Sequence, residues 1–340
     1  MLSRAVFWTG WIDRAFLRTL SLGDGARRRQ QDPTERLATL AELQAETHRE
    51  EWRDPTAYFP QVRPVQPQQN ALESRWGGEV MDWSWDSDYA PIHSEIADWY
   101  GSFARNARVQ VRAFRGAGQR PALIVLHGYG GGQHWLETLV FPVRRWVKRG
   151  WDVFLFALPF HGPRRASGDR LRFPSRVPLV TIEGFRQAVA DLRNLVHHLR
   201  GTGTRRVGVV GMSLGGYTAS LLATAEAELD LVAPFIPLGS LPLYMRDHGR
   251  FGGTEAQQTQ QQQALEGVLS GVSPMWRPSL VPAERMVVGG AHFDGVTRMH
   301  HAERLAAHFG CPLVTIKGAH LMQLGRRAYW HELEAVFEGA

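Results

Sequence analysis

The sequence has almost no cysteine and almost no lysine. Cys311 is the single cysteine among 340 residues, so no disulfide can form within the chain, and the apolar run CPLVTI around it predicts a buried side chain. Lys148 and Lys317 are the only lysines among 39 basic residues. The net charge of +6 is therefore carried by scattered arginines, which favours an arginine-biased, solvated surface over a phosphate-binding face. No nucleic-acid partner is expected.

Long apolar runs are also missing. A helix that spans a bilayer needs about 20 continuous apolar residues, and no stretch of this chain comes close. In the segment MLSRAVFWTGWIDRAFLRTL, charges at Arg4, Asp13, Arg14 and Arg18 interrupt any signal-peptide core. We therefore do not expect secretion through a signal peptide, and we expect a cytoplasmic location.

The same segment has an amphipathic pattern. Trp8, Ile12, Phe16 and Leu20 recur every four residues with Trp11 beside them, which is typical of an amphipathic helix. We favour a helix that docks on the body of the protein. Peripheral contact with a membrane or a partner through residues 1–20 is the alternative.

The first third of the chain suggests a helical extension and a linker. A polar helical stretch at residues 33–51 is followed by AYFPQVRPVQPQQN, whose prolines predict an extended connection. We therefore expect residues 1–70 to form an N-terminal helical extension with a proline-rich linker, and residues 71–340 to form the main domain. Within the main domain, EIADWYGSFARN predicts a short helix and RVQVRAF predicts a strand.

From residue 121 onwards, short apolar runs alternate with longer amphipathic segments. The predicted strands are Ala122 to Leu126, Val153 to Leu158, Val207 to Val210, Leu231 to Pro237, Arg285 to Val288 and Pro312 to Ile316. Helices are predicted at residues 134–149, 182–200 and 217–227. Strands that are apolar on both faces and alternate with helices indicate an α/β protein with a mostly parallel sheet covered by helices.

The stretch VGVVGMSLGGYTAS places Ser213 between a predicted strand and a predicted helix. The segment from Gly211 to Gly215 fits G-x-S-x-G, the nucleophile elbow, in which the serine occupies a strained turn and the glycines prevent clashes. A chain with 35 glycines can match this pattern by accident, but the strand and helix on either side make the match specific. The alternative is that Ser213 only caps the helix.

A nucleophilic serine needs a base, and the base needs a group that orients it. Asp294 follows the predicted strand RMVVGG, and His320 follows PLVTIKG. The chain order Ser213, Asp294, His320 is the order that a strand–serine–helix elbow uses. His292 is the nearest competing base, but it precedes Asp294 and shares its loop. The alternative to Asp294 is an acidic residue that follows a different strand and orients the base in its place.

Upstream, LIVLHGYGGGQHW supplies a glycine-rich turn directly after the first buried strand of the regular pattern. Main-chain N–H groups in such a turn can stabilise the oxyanion of a tetrahedral intermediate. We predict that the two oxyanion donors are the N–H groups of Tyr129 and Leu214. A phosphate-binding loop is the competing interpretation, but the G-x-G-x-x-G spacing and a following Lys-Ser/Thr are both missing.

The segments HGYGGG, ALPFHGPR and GMSLGGYTAS together resemble the α/β-hydrolase superfamily over about residues 105–338. Within it, they resemble bacterial relatives of the abhydrolase domain-containing protein 18 group and, more distantly, dienelactone hydrolases and acetyl xylan esterases. The resemblance implies the α/β-hydrolase fold and Ser-Asp-His acyl chemistry, with no metal or organic cofactor. It also makes His161 and Arg164, near the mouth of the site in such relatives, candidates for substrate contacts. A structural turn is the favoured alternative for these two residues.

The sequence between Leu238 and Arg285 is long enough for a small helical lid, at about residues 240–283. Its QQTQQQQ run predicts a solvated helix leading into ALEGVL. Six residues would either form an apolar wall over Ser213, favouring an uncharged acyl-bearing substrate, or only pack the lid onto the core. They are Leu241, Leu243, Tyr244, Met245, Met275 and Trp276.

These observations predict a serine hydrolase that cleaves a carboxylic ester in a small acyl substrate. Ser213 would attack, His320 would move the proton and Asp294 would orient the imidazole. An acyltransferase or peptidase with the same triad stays open. A non-catalytic hydrolase-fold protein that docks through residues 1–20 is the alternative from another class, and the complete triad spacing argues against it.

Overall fold

A computed structural model describes residue 13 and residues 32–339 of the chain. Its central feature is a nine-stranded sheet in the order β1-β2-β3-β5-β4-β6-β7-β8-β9. Strands β4 to β9 run parallel, and β3, β2 and β1 continue the sheet in antiparallel fashion. The strands are Gln68–Arg75 (β1), Gly78–Asp86 (β2), Arg108–Arg115 (β3), Ala122–Leu126 (β4), Asp152–Phe156 (β5), Val207–Met212 (β6), Leu231–Phe235 (β7), Val288–Ala291 (β8) and Leu313–Ile316 (β9).

Helices cover both faces of this sheet, so the predicted fold class, a mostly parallel sheet flanked by helices, is confirmed. Among the described residues, no helix is long and apolar enough to cross a membrane. The helices are Pro33–Thr47 (α1), Pro55–Tyr58 (α2), Ser94–Gly101 (α3), His134–Val140 (α4), Val143–Lys148 (α5), Pro178–Gly201 (α6), Leu214–Ala223 (α7), Leu241–Asp247 (α8), Glu255–Val268 (α9), Met299–Phe309 (α10) and Arg327–Gly339 (α11).

Alternating side chains of the parallel strands divide the core into two clusters, one on each face of the sheet. On β4, Ala122, Ile124 and Leu126 pack into the cluster that contains α6 and α7. Leu123 and Val125 point the other way and pack with α5 and α11. Because both faces are buried, β4 is a continuous apolar run, which is why it was visible in the sequence as a buried strand.

Three predicted bounds are corrected by the structure. The helix predicted over residues 134–149 is two helices, α4 and α5, because Phe141 precedes a proline and is extended, with φ −98° and ψ 147°. The strand predicted from Arg285 begins at Val288, since Ala283–Arg285 forms a 3₁₀ turn. Helix α7 begins directly after Ser213 and not at Tyr217.

The β1–β2 hairpin is an element that the sequence analysis missed. Its turn is Trp76-Gly77, with φ of 57° and 88°, as a two-residue hairpin turn requires. Every residue of β1 is exposed, so this edge strand has no apolar alternation to reveal it. Strand β1 spans the boundary proposed at residue 70, and the division into residues 1–70 and 71–340 stays a prediction.

The described part of the N-terminal extension packs against the lid insert. Helix α1 begins after Asp32, whose carboxylate accepts hydrogen bonds from the N–H groups of Thr34 and Glu35, and it lies against α9. Further along, His48 Nδ1 lies 2.7 Å from Ser270 Oγ of the insert. The extension therefore packs against the insert at about residues 240–283.

The glutamine-rich run lies in α9, as predicted, and a capping box at Thr254 starts that helix. The amphipathic helix predicted from Trp8 to Leu20 lies outside the described residues, apart from Asp13.

Candidate active site

Ser213 occupies a strained turn between β6 and α7. Its φ of 56° and ψ of −112° are unusual for a residue with a side chain, and such strain persists only where neighbours enforce it. The glycines are required here: a Cβ on Gly215 would lie 2.3 Å from the Leu126 carbonyl oxygen, and one on Gly211 would lie 2.1 Å from the Gly215 oxygen. The Ser213 side chain makes no capping hydrogen bond to α7, so the helix-cap interpretation is not supported.

Asp294 and His320 lie together at the carboxyl end of the sheet. Asp294 follows β8, His320 follows β9, and His320 Nδ1 lies 2.8 Å from Asp294 Oδ2. The other carboxylate oxygen, Oδ1, accepts from the N–H groups of Val296 and Thr297 at 2.8 and 2.7 Å. These bonds fix the carboxylate, so the imidazole donates through Nδ1 and keeps Nε2 as its proton acceptor.

The electrostatics of His320 follow from this pairing. Burial lowers the pKa of His320, but the charge of Asp294, its hydrogen bond and the charge of Asp13 together outweigh burial, so that the pKa is raised above its ordinary value. Both side chains of the pair are almost completely buried. The imidazolium that would form during proton transfer is therefore stabilised.

Two side chains that sequence reasoning missed connect the parts of the site. The Thr297 hydroxyl lies 2.9 Å from the Ile236 carbonyl, 3.1 Å from Asp294 Oδ2 and 3.2 Å from His320 Nδ1. The Gln323 amide donates to the Met212 sulfur at 3.0 Å and to the His320 carbonyl at 3.1 Å.

Met212 directly precedes Ser213, so Gln323 ties the serine turn to the loop of His320. A threonine three residues after a carboxylate is a weak turn signal that could have pointed to Thr297. Gln323 carries no such signal.

The glycine-rich loop passes against Ser213. Gly128 lies beside Ser213, since a Cβ at Gly128 would lie 3.5 Å from the Ser213 Cβ, an ordinary van der Waals contact. His127 supports the loop through both ring nitrogens: Nδ1 donates to the Gly128 carbonyl at 2.8 Å, and Nε2 accepts from the Leu158 N–H at 3.0 Å. Burial lowers the pKa of His127 far below its ordinary value, so this ring is neutral.

The two predicted oxyanion donors belong to two segments next to Ser213, the glycine-rich loop and the start of α7. Tyr129 lies on the glycine-rich loop, with its ring against that of His161 at a centroid distance of 5.8 Å. Leu214 is the first residue of α7, where the N–H has no acceptor within the helix. Their role as oxyanion donors stays a prediction.

His161 and Arg164 follow β5 and are both buried. His161 donates through Nδ1 to the Pro159 carbonyl at 2.9 Å, and burial lowers the pKa of its ring to about 4. Arg164 pairs with Asp191 at 2.9 Å and donates to the Asn106 carbonyl, so its guanidinium is occupied by protein groups. The contacts of Arg164 therefore favour a structural role over a contact with substrate. The Nε2 atom of His161, by contrast, has no hydrogen-bond partner among the described residues.

The lid helix α8 lies beside the site. Tyr244 on α8 is close enough to Tyr129 and Asp294 for both to raise its pKa, after the larger effect of burial. The predicted apolar residues of the lid divide into two groups. Leu241, Tyr244, Met245 and Met275 are half-buried against the core. Trp276 packs against His48 of the extension at 5.4 Å, and Leu243 is half-buried but is not part of the core cluster. An apolar wall over Ser213 stays a prediction.

Asp247, His300 and His301 form a cluster whose ligand atoms lie within 4.8 Å of one another, a spacing that a metal ion could use. However, His301 Nδ1 accepts from the Gly239 N–H at 3.2 Å, which leaves the proton on Nε2. That Nε2 faces Asp247 at 3.1 Å and has no lone pair for a metal. The cluster therefore fixes the end of α8 to α10.

The architecture and the strained serine turn define an α/β-hydrolase fold, and comparison with solved structures agrees. An acetyl xylan esterase from Paenibacillus sp. R4 matches with a TM-score of 0.58 and 16% identity, covering 87% of this chain and 98% of that chain. Acetyl Xylan Esterase 1 from Thermoanaerobacterium sp. JW/SL YS485 matches with a TM-score of 0.59 and 16% identity, covering 86% and 98%. At this identity the likeness shows the fold alone.

The family described as "Alpha/beta hydrolase domain containing 18" matches residues 23–240, and the chain belongs to this family. The resemblance drawn from the sequence motifs is confirmed. Two Mycobacterium tuberculosis relatives, Uncharacterized protein MT2702 (strain CDC 1551 / Oshkosh) and Uncharacterized protein Rv2627c (strain ATCC 25618 / H37Rv), are each 30% identical over 244 residues. Each alignment covers 69% of this chain but only 58% of the relative. Family membership supports a hydrolase.

Proposed function

We propose that this protein is a serine hydrolase that cleaves carboxylic esters through Ser213, His320 and Asp294. The observation that carries the proposal is the buried contact of 2.8 Å between His320 Nδ1 and Asp294 Oδ2, which leaves Nε2 as a base at the edge of the sheet that holds Ser213. The strained Ser213 turn supports the same conclusion, because strain of this kind clusters at active sites.

In the proposed first step, Ser213 Oγ bonds to the ester carbonyl carbon while its proton passes to His320 Nε2. The tetrahedral intermediate then expels the alkoxide, which takes that proton, and an acyl-enzyme remains. Water attacks the acyl-enzyme with His320 again accepting a proton. The acid is released and Ser213 regains its hydrogen. Asp294 holds the imidazole in the required tautomer throughout.

The oxyanion would be held by the N–H groups of Tyr129 and Leu214. Both are main-chain donors, which the fold holds in place without a rotatable side chain, at the glycine-rich loop and at the start of α7. Fixed donors of this kind stabilise the charge that develops in the transition state without reorganising. A single lost oxyanion donor costs about 10² to 10³ in kcat in comparable enzymes.

The surroundings of the site favour an uncharged acyl group. Large apolar side chains are exposed on the loops that carry the site, and apolar surface of this kind marks binding regions. Trp135 and Leu139 lie on α4, just after the glycine-rich loop, and each is about two-thirds exposed. Phe293 precedes Asp294, and Leu321 and Met322 follow His320.

We also propose a cytoplasmic location. The charges that interrupt the apolar pattern of residues 1–20 support it. Peripheral membrane contact through the same residues is the competing prediction, and separating cytosolic from membrane fractions distinguishes the two.

The test combines a fluorophosphonate probe with ester turnover on the full chain. Wild type should label and should hydrolyse p-nitrophenyl acetate, butyrate and octanoate. Ser213→Ala and His320→Ala should lose labelling, and turnover should fall by about 10⁴-fold or more. Ser220→Ala is the matched control, since Ser220 is a buried serine of α7, the helix that follows Ser213, and its hydroxyl donates to the Gly216 carbonyl.

Labelling that survives in Ser213→Ala, or that disappears equally in Ser220→Ala, would overturn the assignment of the nucleophile. Labelling at Ser213 without turnover of any ester would contradict the ester step. Turnover of an amide, or transfer to an added alcohol, would then identify the peptidase or acyltransferase alternative.

A further inference from the structure

Asp13 places a buried carboxylate between the loops that carry Asp294 and His320. Its side chain is completely buried. The Oδ2 atom accepts hydrogen bonds from the N–H groups of Gly295 and His320, each at 3.0 Å. The Oδ1 atom accepts from the Leu321 N–H at 3.1 Å. One side chain thus satisfies three main-chain donors.

These donors belong to the segments that carry the acid and the base. Gly295 directly follows Asp294 in the loop after β8, and His320 and Leu321 lie in the loop after β9. Asp13 lies 307 positions before His320 in the chain, so the bonds join a distant segment to both loops. A movement of either loop away from the other would break hydrogen bonds to a buried charge.

We propose that Asp13 is a positioning residue, which holds the acid loop and the base loop at the separation that the Asp294–His320 pair needs and whose carboxylate charge stabilises the imidazolium of His320. This inference rests on the function proposed above, because that function gives Asp294 and His320 their roles. Hydrogen bonds from N–H groups to a carboxylate are short and directional, and a buried carboxylate requires such partners. Asp13 therefore acts on the reaction through His320 and not by touching the substrate.

Asp13 also acts on His320 through its charge. Burial lowers the pKa of His320, whereas the charge of Asp294, the hydrogen bond to Asp294 and the charge of Asp13, in decreasing order, raise it. Asp294 from the loop after β8 and Asp13 from the N-terminal extension are the charged groups that face the imidazole in the described part of the chain. A purely mechanical tie would not change the ionisation of His320, so ionisation separates the two roles.

The test uses Asp13→Asn and Asp13→Glu in the full chain. Asp13→Asn keeps the size of the side chain but removes the charge. We expect kcat to fall by about 10- to 100-fold with little change in KM, as for a displaced catalytic group. The acid limb of the pH–rate profile should move to lower pH, because loss of the anion disfavours the imidazolium. Asp13→Glu should restore part of both effects.

Asp32→Asn is the matched control. Asp32 also accepts main-chain N–H groups in the N-terminal extension, but its partners are Thr34 and Glu35 of α1 and not the loops of the site. This variant should leave kcat and the acid limb unchanged. If Asp13→Asn behaves like Asp32→Asn, or lowers kcat with no movement of the acid limb, Asp13 is at most a structural residue and the proposal is overturned.

A second readout needs no turnover. The His320 imidazole can be titrated by NMR, with its signals assigned by comparison with His320→Gln. Its pKa should be lower in Asp13→Asn than in wild type and should be unchanged in Asp32→Asn. A wild type that hydrolyses no ester would contradict the proposed function alone, whereas an unchanged His320 titration in folded Asp13→Asn would contradict the role of Asp13 alone.

Discussion

Buried histidines lie at two places along the same edge of the sheet, and their pKa values move in opposite directions. His127 and His161 lie in the loops after β4 and β5, where burial lowers both pKa values, to about 4 for His161. His320, after β9, is equally buried, yet the charge of Asp294, the hydrogen bond to Asp294 and the charge of Asp13 together outweigh burial and raise its pKa. Since burial is common to all three rings, the neighbouring carboxylates make the difference.

The hydrogen bonds divide the rings in the same way. His127 uses both ring nitrogens on main-chain groups, the Gly128 carbonyl and the Leu158 N–H. His320 uses Nδ1 on Asp294, which leaves Nε2 for chemistry. A histidine after a parallel strand is thus as consistent with loop support as with catalysis. Among these three rings, the pairing with a carboxylate distinguishes His320.

Removing the charge that distinguishes His320 should have the largest effect. In Asp294→Asn, the amide can present its NH₂ group to Nδ1 and favour the wrong tautomer, so kcat for a short ester should fall by about 10⁴-fold. Steady-state kinetics on folded protein measure this loss.

Asp247→Asn is the matched comparison, because Asp247 also pairs with histidines, but its partners are His300 and His301 and not His320. It should keep kcat near the wild-type value. Equal losses in the two variants would mean that carboxylate–histidine pairing matters only for folding.

The next effect concerns stability at acid pH. The folded-state pKa of His161 is about 4, whereas an unfolded histidine titrates near 6.5, so only the unfolded state binds the proton between these values. The free energy of unfolding should therefore fall as the pH drops from about 7 to 5, by about 2 kcal/mol for this ring. Urea unfolding of wild type and His161→Asn at several pH values measures it, and His161→Asn should lose that part of the slope.

His320 should show the opposite sign. Its pKa is raised in the folded state, so the stability that its ion pair contributes is fully present below the unfolded value and is lost as the pH rises through the folded one. His320→Asn should therefore destabilise the protein more at pH 5 than at pH 8. If the effects of His161→Asn and His320→Asn on the free energy of unfolding changed with pH in the same direction, the opposite pKa shifts of the two rings would be contradicted.

The parallel half of the molecule was predictable because its strands are short apolar runs with helices between them. The Gly-x-Ser-x-Gly turn was predictable for a related reason: the chain can pass so close to Leu126 only without a Cβ at Gly215. The exposed strand β1 was not, since no face of it is buried. Both outcomes follow from burial, which is the physical source of the apolar pattern.

The candidate site was predictable in part. Chain order pointed to Asp294 and His320, and the structure brings their side chains to 2.8 Å. Asp13 could not be found in this way, because its contacts cross 307 positions of sequence and involve only main-chain donors, which leave no residue-type signal. Contacts of side chains with distant backbone are set by tertiary structure alone.

Thr297 offers the finest test of what sets His320 apart from His127 and His161. Its hydroxyl has one proton for the Ile236 carbonyl or Asp294 Oδ2, so it supports the carboxylate and does not replace it. Thr297→Val keeps the shape and removes the hydroxyl, and kcat/KM should fall by about 2- to 12-fold, the equivalent of one ordinary hydrogen bond. Thr297→Ser keeps the hydroxyl and should stay close to wild type. A loss in Thr297→Val as large as that in Asp294→Asn would show that the hydroxyl, and not the carboxylate charge, keeps the imidazole in place.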